Sequence, residues 1–398
     1  MKPLEGIKVL DLSRVLAGPW CTQLLADLGA DVLKIERPDA GDDTRHWGPP
    51  WHSQGEDRVA AYFLSTNRGK KSAAIDFAHA GGARLVRELA IDADIVVENF
   101  KVGGLRKFGL DGDSLRKANP RLIYASITGF GQDGPYADRA GYDYIIQGMG
   151  GLMSITGLPD GEPGGGPMRV GVAVVDLFTG LYTCIAILSA LLRREKTGEG
   201  AYIDMALFDA QLAMLANQAS NALISGKDPP RQGNTHPNIV PYQPFDAADQ
   251  PIIIAVGNDR QFARLAEICG HPEWAGDERF ASNGSRVAHR GAIVEMISDC
   301  IRERPAAEWL ERLEKTGIPA GPINTITQAL SDVQAQHRGV VRMIAGTPLV
   351  GAPLRFDGAR ADSDLPPPKL GEHTHEVLAS LGIEAREIER LKSEGVVG

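Results

Sequence analysis

The sequence predicts an α/β protein with a Rossmann-like large domain on a parallel sheet and a smaller α/β domain. Three observations carry this. From Lys8 onward, short β-branched runs alternate with helical stretches of about ten residues, a pattern that requires parallel strands joined by crossover helices. The 398 residues exceed one folding unit at roughly 150 residues per domain. Hydrophobic residues make up 43% and charged residues 23%, as in packed globular proteins, which excludes disordered, collagen-like and coiled-coil chains.

The elements follow in order. Residues 8–12 read as the first strand and a helix runs through residues 22–25. Strands follow at 31–36 and 72–77, a helix at 83–91, and strands at 94–98 and 121–126. The first strand leads into Ser13-Arg14-Val15-Leu16-Ala17-Gly18-Pro19, without the glycine spacing that admits a pyrophosphate, so a nicotinamide cofactor is disfavoured. Beyond Gly129 come glycine-rich connections at 148–151 and 161–166, then a long apolar helix ending at Arg193 and Arg194. Its uncharged run after Asp176 is 16 residues, short of the roughly 20 that span a bilayer, so it reads as a buried helix and no membrane partner is expected.

A shift to Gly, Pro, Asn and His at 225–244 marks a crossing segment. The small domain then shows a strand at 251–256 and helices near 261–269, 291–303 and 306–315. Two strand-like runs at 340–356 and a helix at 373–381 are too thin to fold alone and return to the first domain. The expected division is 1–224 with 331–398 as the large, discontinuous domain, and 225–330 as the small domain with its connecting segments.

The 42 Lys and Arg against 51 Asp and Glu leave a net charge of −9, so any anion site is local and no nucleic-acid partner is expected. Cys21, Cys184, Cys269 and Cys300 have neither disulfide-framework nor zinc spacing. With Glu5 and Asp11 interrupting any export signal, the expected place is a reducing cytoplasm. His373 and His375, two apart, do not share a helix face and read as a surface helix start, so no metal is expected.

Asp176 is the one charge between Arg169 and Arg193, set among valines, Leu177 and Phe178. Such a carboxylate needs compensation. Beside a helix start it is either a plain N-cap, the commoner arrangement, or a nucleophile kept ionised by backbone amides. Basic clusters at Arg37, at Arg68, Lys70 and Lys71, and at Lys101, Arg106 and Lys107 fall near strand ends, where open α/β sheets bind ligands. Together they suit separated phosphates; individually they suit solvated surface charge.

These features accompany longer marks: Pro3 to Asp11, Ala17-Gly18-Pro19, Leu28 to Glu36, Val97-Glu98-Asn99-Phe100, Gly141-Tyr142-Asp143, Arg193 to Gly200, Gly321-Pro322-Ile323-Asn324 and Leu370 to Thr374. With them the chain resembles the class III coenzyme A transferases, the family of formyl-CoA transferase and carnitine CoA-transferase, over essentially its whole length. The resemblance implies Asp176 as nucleophile, passing through an aspartyl anhydride and an aspartyl-CoA thioester. It implies CoA contacts at Val15 and Leu16 near the thiol, at Arg37, Ile75, Asn99, Phe100, Lys101 and Lys107 around the nucleotide, and at Tyr142 and Asp143 by the reacting group. Oxyanion donors fall near Gly150 and Gly151.

Ala78 stands where formyl-CoA transferase has lysine, so Lys70 or Lys71 is expected to supply that charge; Leu16 replaces its glutamine. Its tetraglycine loop is also missing, around Arg231 to Pro237, which disfavours oxalate. The resemblance points instead to the branch using succinyl-CoA and a dicarboxylic acid, whose distal carboxylate Arg14 and Arg231 would pair. It implies a CoA thioester as cosubstrate, no tightly bound cofactor, and an interlocked homodimer. The α-methylacyl-CoA racemases share the fold and an Asp matching Asp176, but have His where this chain has Tyr142.

Overall fold

The computed structural model describes residues 2–54 and 57–398. Strands β1 (Lys8–Asp11), β2 (Asp31–Glu36), β3 (Lys70–Ala74), β4 (Ile95–Glu98), β5 (Ile123–Thr128) and β6 (Ala201–Ala206) form one sheet in the order β3-β2-β1-β4-β5-β6. Every neighbouring pair is parallel; Val9, for example, stands beside Val32 and Ile95. Successive side chains point to opposite faces. Val9, Val32, Ile95 and Ile123 therefore join one apolar layer, while Leu10, Val96 and Tyr124 join the other.

The first layer is covered by α1 (Ala17–Asp27), the second by α2 (Ala80–Asp92) and α3 (Gly112–Ala118). Strand β3 starts two residues before its expected place, because buried Lys70 and Ser72 point into the first layer while Ile75 leaves the sheet to bridge Val397. Strand β6 was not anticipated. Its alternation of exposed Tyr202 and Asp204 with less exposed neighbours is an edge-strand pattern without a long apolar run.

After α4 (Asp143–Met149) comes α5 (Val174–Thr197), whose 24 residues are long and apolar enough to cross a bilayer by length and composition. One face of α5, including Val175, Thr179, Thr183, Ile187 and Leu191, is buried. The other presents Phe178, Leu181, Tyr182, Ile185 and Leu192 at helical spacing, all exposed. The expectation of a buried helix thus holds for one face.

The chain divides into two units, Met1–Leu152 with Val170–Gly226 and Val333–Gly398, and Met153–Arg169 with Lys227–Asp332. In the first unit the C-terminal segment returns to β3, with the His373 amide donating to Ser72 O at 2.9 Å and the Gly398 amide to Ala74 O at 3.0 Å. It carries a further helix, Ala385–Ser393, which is polar apart from its buried Ile388 and Leu391. In the second unit Tyr242–Asp246, Pro251–Ala255 and Ala320–Pro322 form a sheet around its own core. That sheet is antiparallel, since the link between its first two strands is too short for a crossover, so the smaller α/β domain expected there has no parallel strands in its sheet.

Two backbones touch where β5 ends. A Cβ on Gly141 would lie 2.3 Å from the Gly129 Cα, and one on Gly129 would lie 2.5 Å from the Gly141 Cα. Gly129→Ala and Gly141→Ala are each expected to lower unfolding free energy by about 1–3 kcal/mol in denaturant titrations. Gly291→Ala, in open space on the helix Arg290–Ile301, should match or exceed the unmodified protein.

Candidate active site

The strand order reverses between β1 and β4, and open parallel sheets bind ligands beyond the strand ends at that point. The segment leaving β1 is held by side chains at each backbone polar group from Ser13 to the Val15 amide. The Ser13 amide donates to Asp11 Oδ1 at 2.9 Å, and its carbonyl accepts from Lys34 Nζ at 2.7 Å. The Arg14 amide donates to Asn99 Oδ1 at 2.9 Å, and its carbonyl accepts from Asn99 Nδ2 at 2.7 Å. The Val15 amide donates to Asp42 Oδ2 at 3.2 Å. A Cβ on Gly18 would lie 2.2 Å from the Ser13 Cβ, so only glycine lets the first turn of α1 close onto this segment.

Here the structure opens a cavity of about 480 Å³. Eight of the expected residues line it: Arg14, Val15, Leu16, Asn99, Phe100, Lys101, Tyr142 and Asp176. Arg14 and Phe100 also border a smaller cavity of about 140 Å³ with Arg37 and Ile75. Lys107 lies outside both, its ammonium 4.7 Å from the Phe108 ring centre, and Phe108 meets Phe77, which meets Phe100, edge to face.

Asp176 is not an N-cap. The cap position of α5 is Ala173, which has no capping side chain, and Asp176 sits in the first turn. Asp143 supplies the cap from α4: its Oδ1 accepts from the Val175 amide at 2.8 Å and its Oδ2 from Gln147 Nε2 at 2.7 Å. Gln147 in turn accepts from the Val170 amide at 2.9 Å. Asp176 is left half-buried, with no hydrogen-bond donor or cation on its carboxylate among the described residues. Burial, reinforced by the Asp143 charge, raises its carboxyl from 3.8 to about 7. Near neutral pH much of it is ionised, and no hydrogen bond blunts that anion.

Several expectations are corrected. The Lys70 ammonium is fully buried and gives its three donors to Asp11 Oδ2 at 3.0 Å, Pro19 O at 3.0 Å and Asn67 Oδ1 at 2.9 Å, leaving none for a phosphate. Lys71 is partly exposed and pairs with Glu376 at 3.3 Å and Asp31 at 3.6 Å. Asp143 lies next to Asp176 as expected, but it is buried with both oxygens engaged and does not line the cavity. Asn99 lines the cavity but also clamps Arg14. Gly150 and Gly151 lie just past α4, outside the lining of the cavity, and a Cβ on Gly150 would meet Gln211 Cγ at 2.3 Å. Arg231 belongs to the second unit, where it pairs with Asp160 and donates to the carbonyl oxygens of Leu158 and Ser154 at 3.2 Å.

Comparison with known proteins agrees with this geometry. Residues 4–374 match the model of CoA-transferase family III. The chain belongs to CoA-transferase family III. It is 52% identical over 386 residues to succinate–glutarate CoA-transferase of Agrobacterium fabrum, covering 95% of this chain and 96% of that one. It is 44% identical to mouse succinyl-CoA:glutarate CoA-transferase, covering 100% and 91%. The crystal structure of a CAIB/BAIF family protein from Brucella suis superposes with a TM-score of 0.86 at 52% identity, covering 96% of this chain and 99% of that one.

Sequence reading missed two parts of this CoA-transferase's cavity. Arg139 lines it and stacks 4.4 Å over the Tyr136 ring, with no carboxylate partner among the described residues. Its signal was its position in the turn after β5, a ligand-bearing place in such sheets. Trp47 also lines the cavity and meets Tyr62 edge to face at 5.3 Å. Burial, with the nearby Asp176 and Asp143 charges, pushes the Tyr62 hydroxyl up to about 12. Nothing in the irregular stretch at 39–50 announces these contacts.

The raised Asp176 carboxyl has a cost with a defined sign. Its ionised form is favoured in the unfolded chain, so its contribution to stability falls as pH rises from about 3.8 to about 7. Asp176→Asn is therefore expected to melt higher than the unmodified protein at pH 8, with the gap closing toward pH 4; thermal melts across that range check it.

Proposed function

We propose that the protein moves CoA from an acyl-CoA, succinyl-CoA in the first instance, to a small dicarboxylic acid, with Asp176 as the covalent relay. The observation that carries this is an unpartnered, half-buried carboxylate in a cavity at the sheet's switch point, in a chain of a CoA-transferring family. Relatives named for succinate or succinyl-CoA and glutarate support the choice of acids.

The Asp176 carboxylate attacks the thioester carbonyl, expelling CoA thiolate and forming a mixed anhydride. The thiolate then attacks the aspartyl carbonyl, releasing the donor acid and leaving an aspartyl-CoA thioester. The acceptor carboxylate attacks that thioester, again expelling thiolate. The returning thiolate takes the acceptor acyl group and frees Asp176. Each tetrahedral intermediate carries a new oxyanion, which local backbone amides stabilise. The CoA chain lies across Val15, Leu16, Phe100 and Lys101, with its nucleotide toward Arg37, Ile75 and Lys107. Arg14 and Arg139 face the same cavity as Asp176 and suit the acceptor's distal carboxylate. The exposed apolar face of α5 supports a homodimer, and the four unpaired cysteines suit a reducing cytoplasm.

Incubation with succinyl-CoA and an acid panel including glutarate and oxalate, read by mass spectrometry, should yield a new dicarboxyl-CoA thioester; Asp176→Ala should abolish it. No transfer by the unmodified protein, or full activity of Asp176→Ala, would refute the scheme. Loss of α-deuterium from a 2-methylacyl-CoA without acyl exchange would favour racemisation. Arg139→Ala should raise the acceptor KM by about tenfold while changing the thioester KM less. Light scattering should give a solution mass near twice 42.7 kDa.

A further inference from the structure

Val15 has φ +70°, a left-handed conformation that is a marked outlier for a β-branched side chain. Such strain persists only where surrounding contacts over-determine it, and it concentrates at functional sites. The Val15 amide donates to both Asp42 oxygens, at 3.2 and 3.4 Å, and Asp42 Oδ2 meets Lys34 Nζ at 3.0 Å with both side chains fully buried. Lys34 also holds the carbonyl of Ser13. Asp42 is itself held by the Thr44 amide and hydroxyl at 3.0 and 2.7 Å. Asp42 borders the smaller cavity with Arg37 and Ile75 but is not among the residues lining the Asp176 cavity, whereas Val15, Leu16 and Ala17 are.

We propose that Asp42 is a positioning residue: anchored by Lys34, its carboxylate holds Val15 in the left-handed conformation that sets the start of α1 against Asp176. Without that anchor Val15 relaxes to negative φ, and the segment that faces the reacting thioester swings out of register. Asp42 acts on the reacting centre through the Val15 backbone and does not reach the Asp176 cavity. The inference rests on the cavity being the site of CoA transfer.

The test compares purified full-length variants in the succinyl-CoA assay. Asp42→Asn keeps the size of the side chain but loses the charge that holds Lys34. Its kcat should fall by at least about tenfold, with the KM for succinyl-CoA within about threefold. Adding Val15→Gly, which adopts positive φ without strain, should restore most of the lost kcat while leaving the thermal midpoint of Asp42→Asn essentially where it was. A merely structural Asp42 would lower the thermal midpoint without changing kcat, and glycine would rescue nothing; either result overturns the proposal. Val15→Pro, which locks φ near −65° and removes the amide donor while leaving the buried ion pair in place, decides the matter if Asp42→Asn does not fold. It should lose kcat comparably; retained kcat overturns the proposal. Inactivity of the unmodified protein would instead remove the reading of the cavity.

Discussion

The cluster of charges buried under α1 is the constraint on which the rest of this structure depends. Asp11 on β1, Lys34 and Glu36 on β2, Lys70 on β3, and Asp42 and Arg45 from the following segment pair with one another, and all are buried. Three acids and three bases leave the cluster formally neutral. Taking them from water costs several kcal/mol per ion, and only close pairing and further hydrogen bonds repay it. Thr22 and Ser13 on Asp11, and Ser72 on Glu36, provide those bonds. Burial pushes the Asp11 carboxyl upward, but the Lys70 and Lys34 charges outweigh it and hold the group at about 2.

A polar cluster in this place does something an apolar one could not. Hydrophobic contacts are non-directional, whereas Lys34 and Asp42 address one carbonyl and one amide of the segment leaving β1. The sheet's core thereby dictates the backbone of a loop at its ligand-binding edge. The same device recurs at α5, where Asp143 reaches from α4 to cap the helix that carries Asp176 and Gln147 holds both Asp143 and the Val170 amide ahead of that helix. Because Asp143 does the capping, Asp176 has no backbone donor among the described residues. Burial and the Asp143 charge then oppose its ionisation, which leaves a carboxylate that titrates near neutrality.

Most of the large unit was legible. Periodicity placed strands at 31–36 and 94–98, within one residue of those observed, because β-branched runs between helices admit little else, and the C-terminal return was visible in a segment too small to fold alone. The edge strand Ala201–Ala206 and the polar helix Ala385–Ser393 escaped because each buries only a few side chains. Lys70 illustrates the deeper limit. A lysine near a strand end reads as surface charge, and only the pairing of β3 with β2 shows that its side chain points to Asp11 inside the sheet. Asp143 and Asp176 are likewise two equivalent-looking acids until the helices are placed.

Alone, the sequence determined what is local or additive: the alternation of strands and helices, an acidic surface that confines anion binding to pockets, and a motif set that places the chain among CoA transferases. Tertiary structure alone decided which charges are buried, which acid caps and which stays unpartnered, and that Arg139 joins Arg14 at the cavity. The reason is physical. Propensity and pattern act over a few neighbouring residues, whereas the energy of a charge depends on partners and burial contributed by residues tens to hundreds of positions away.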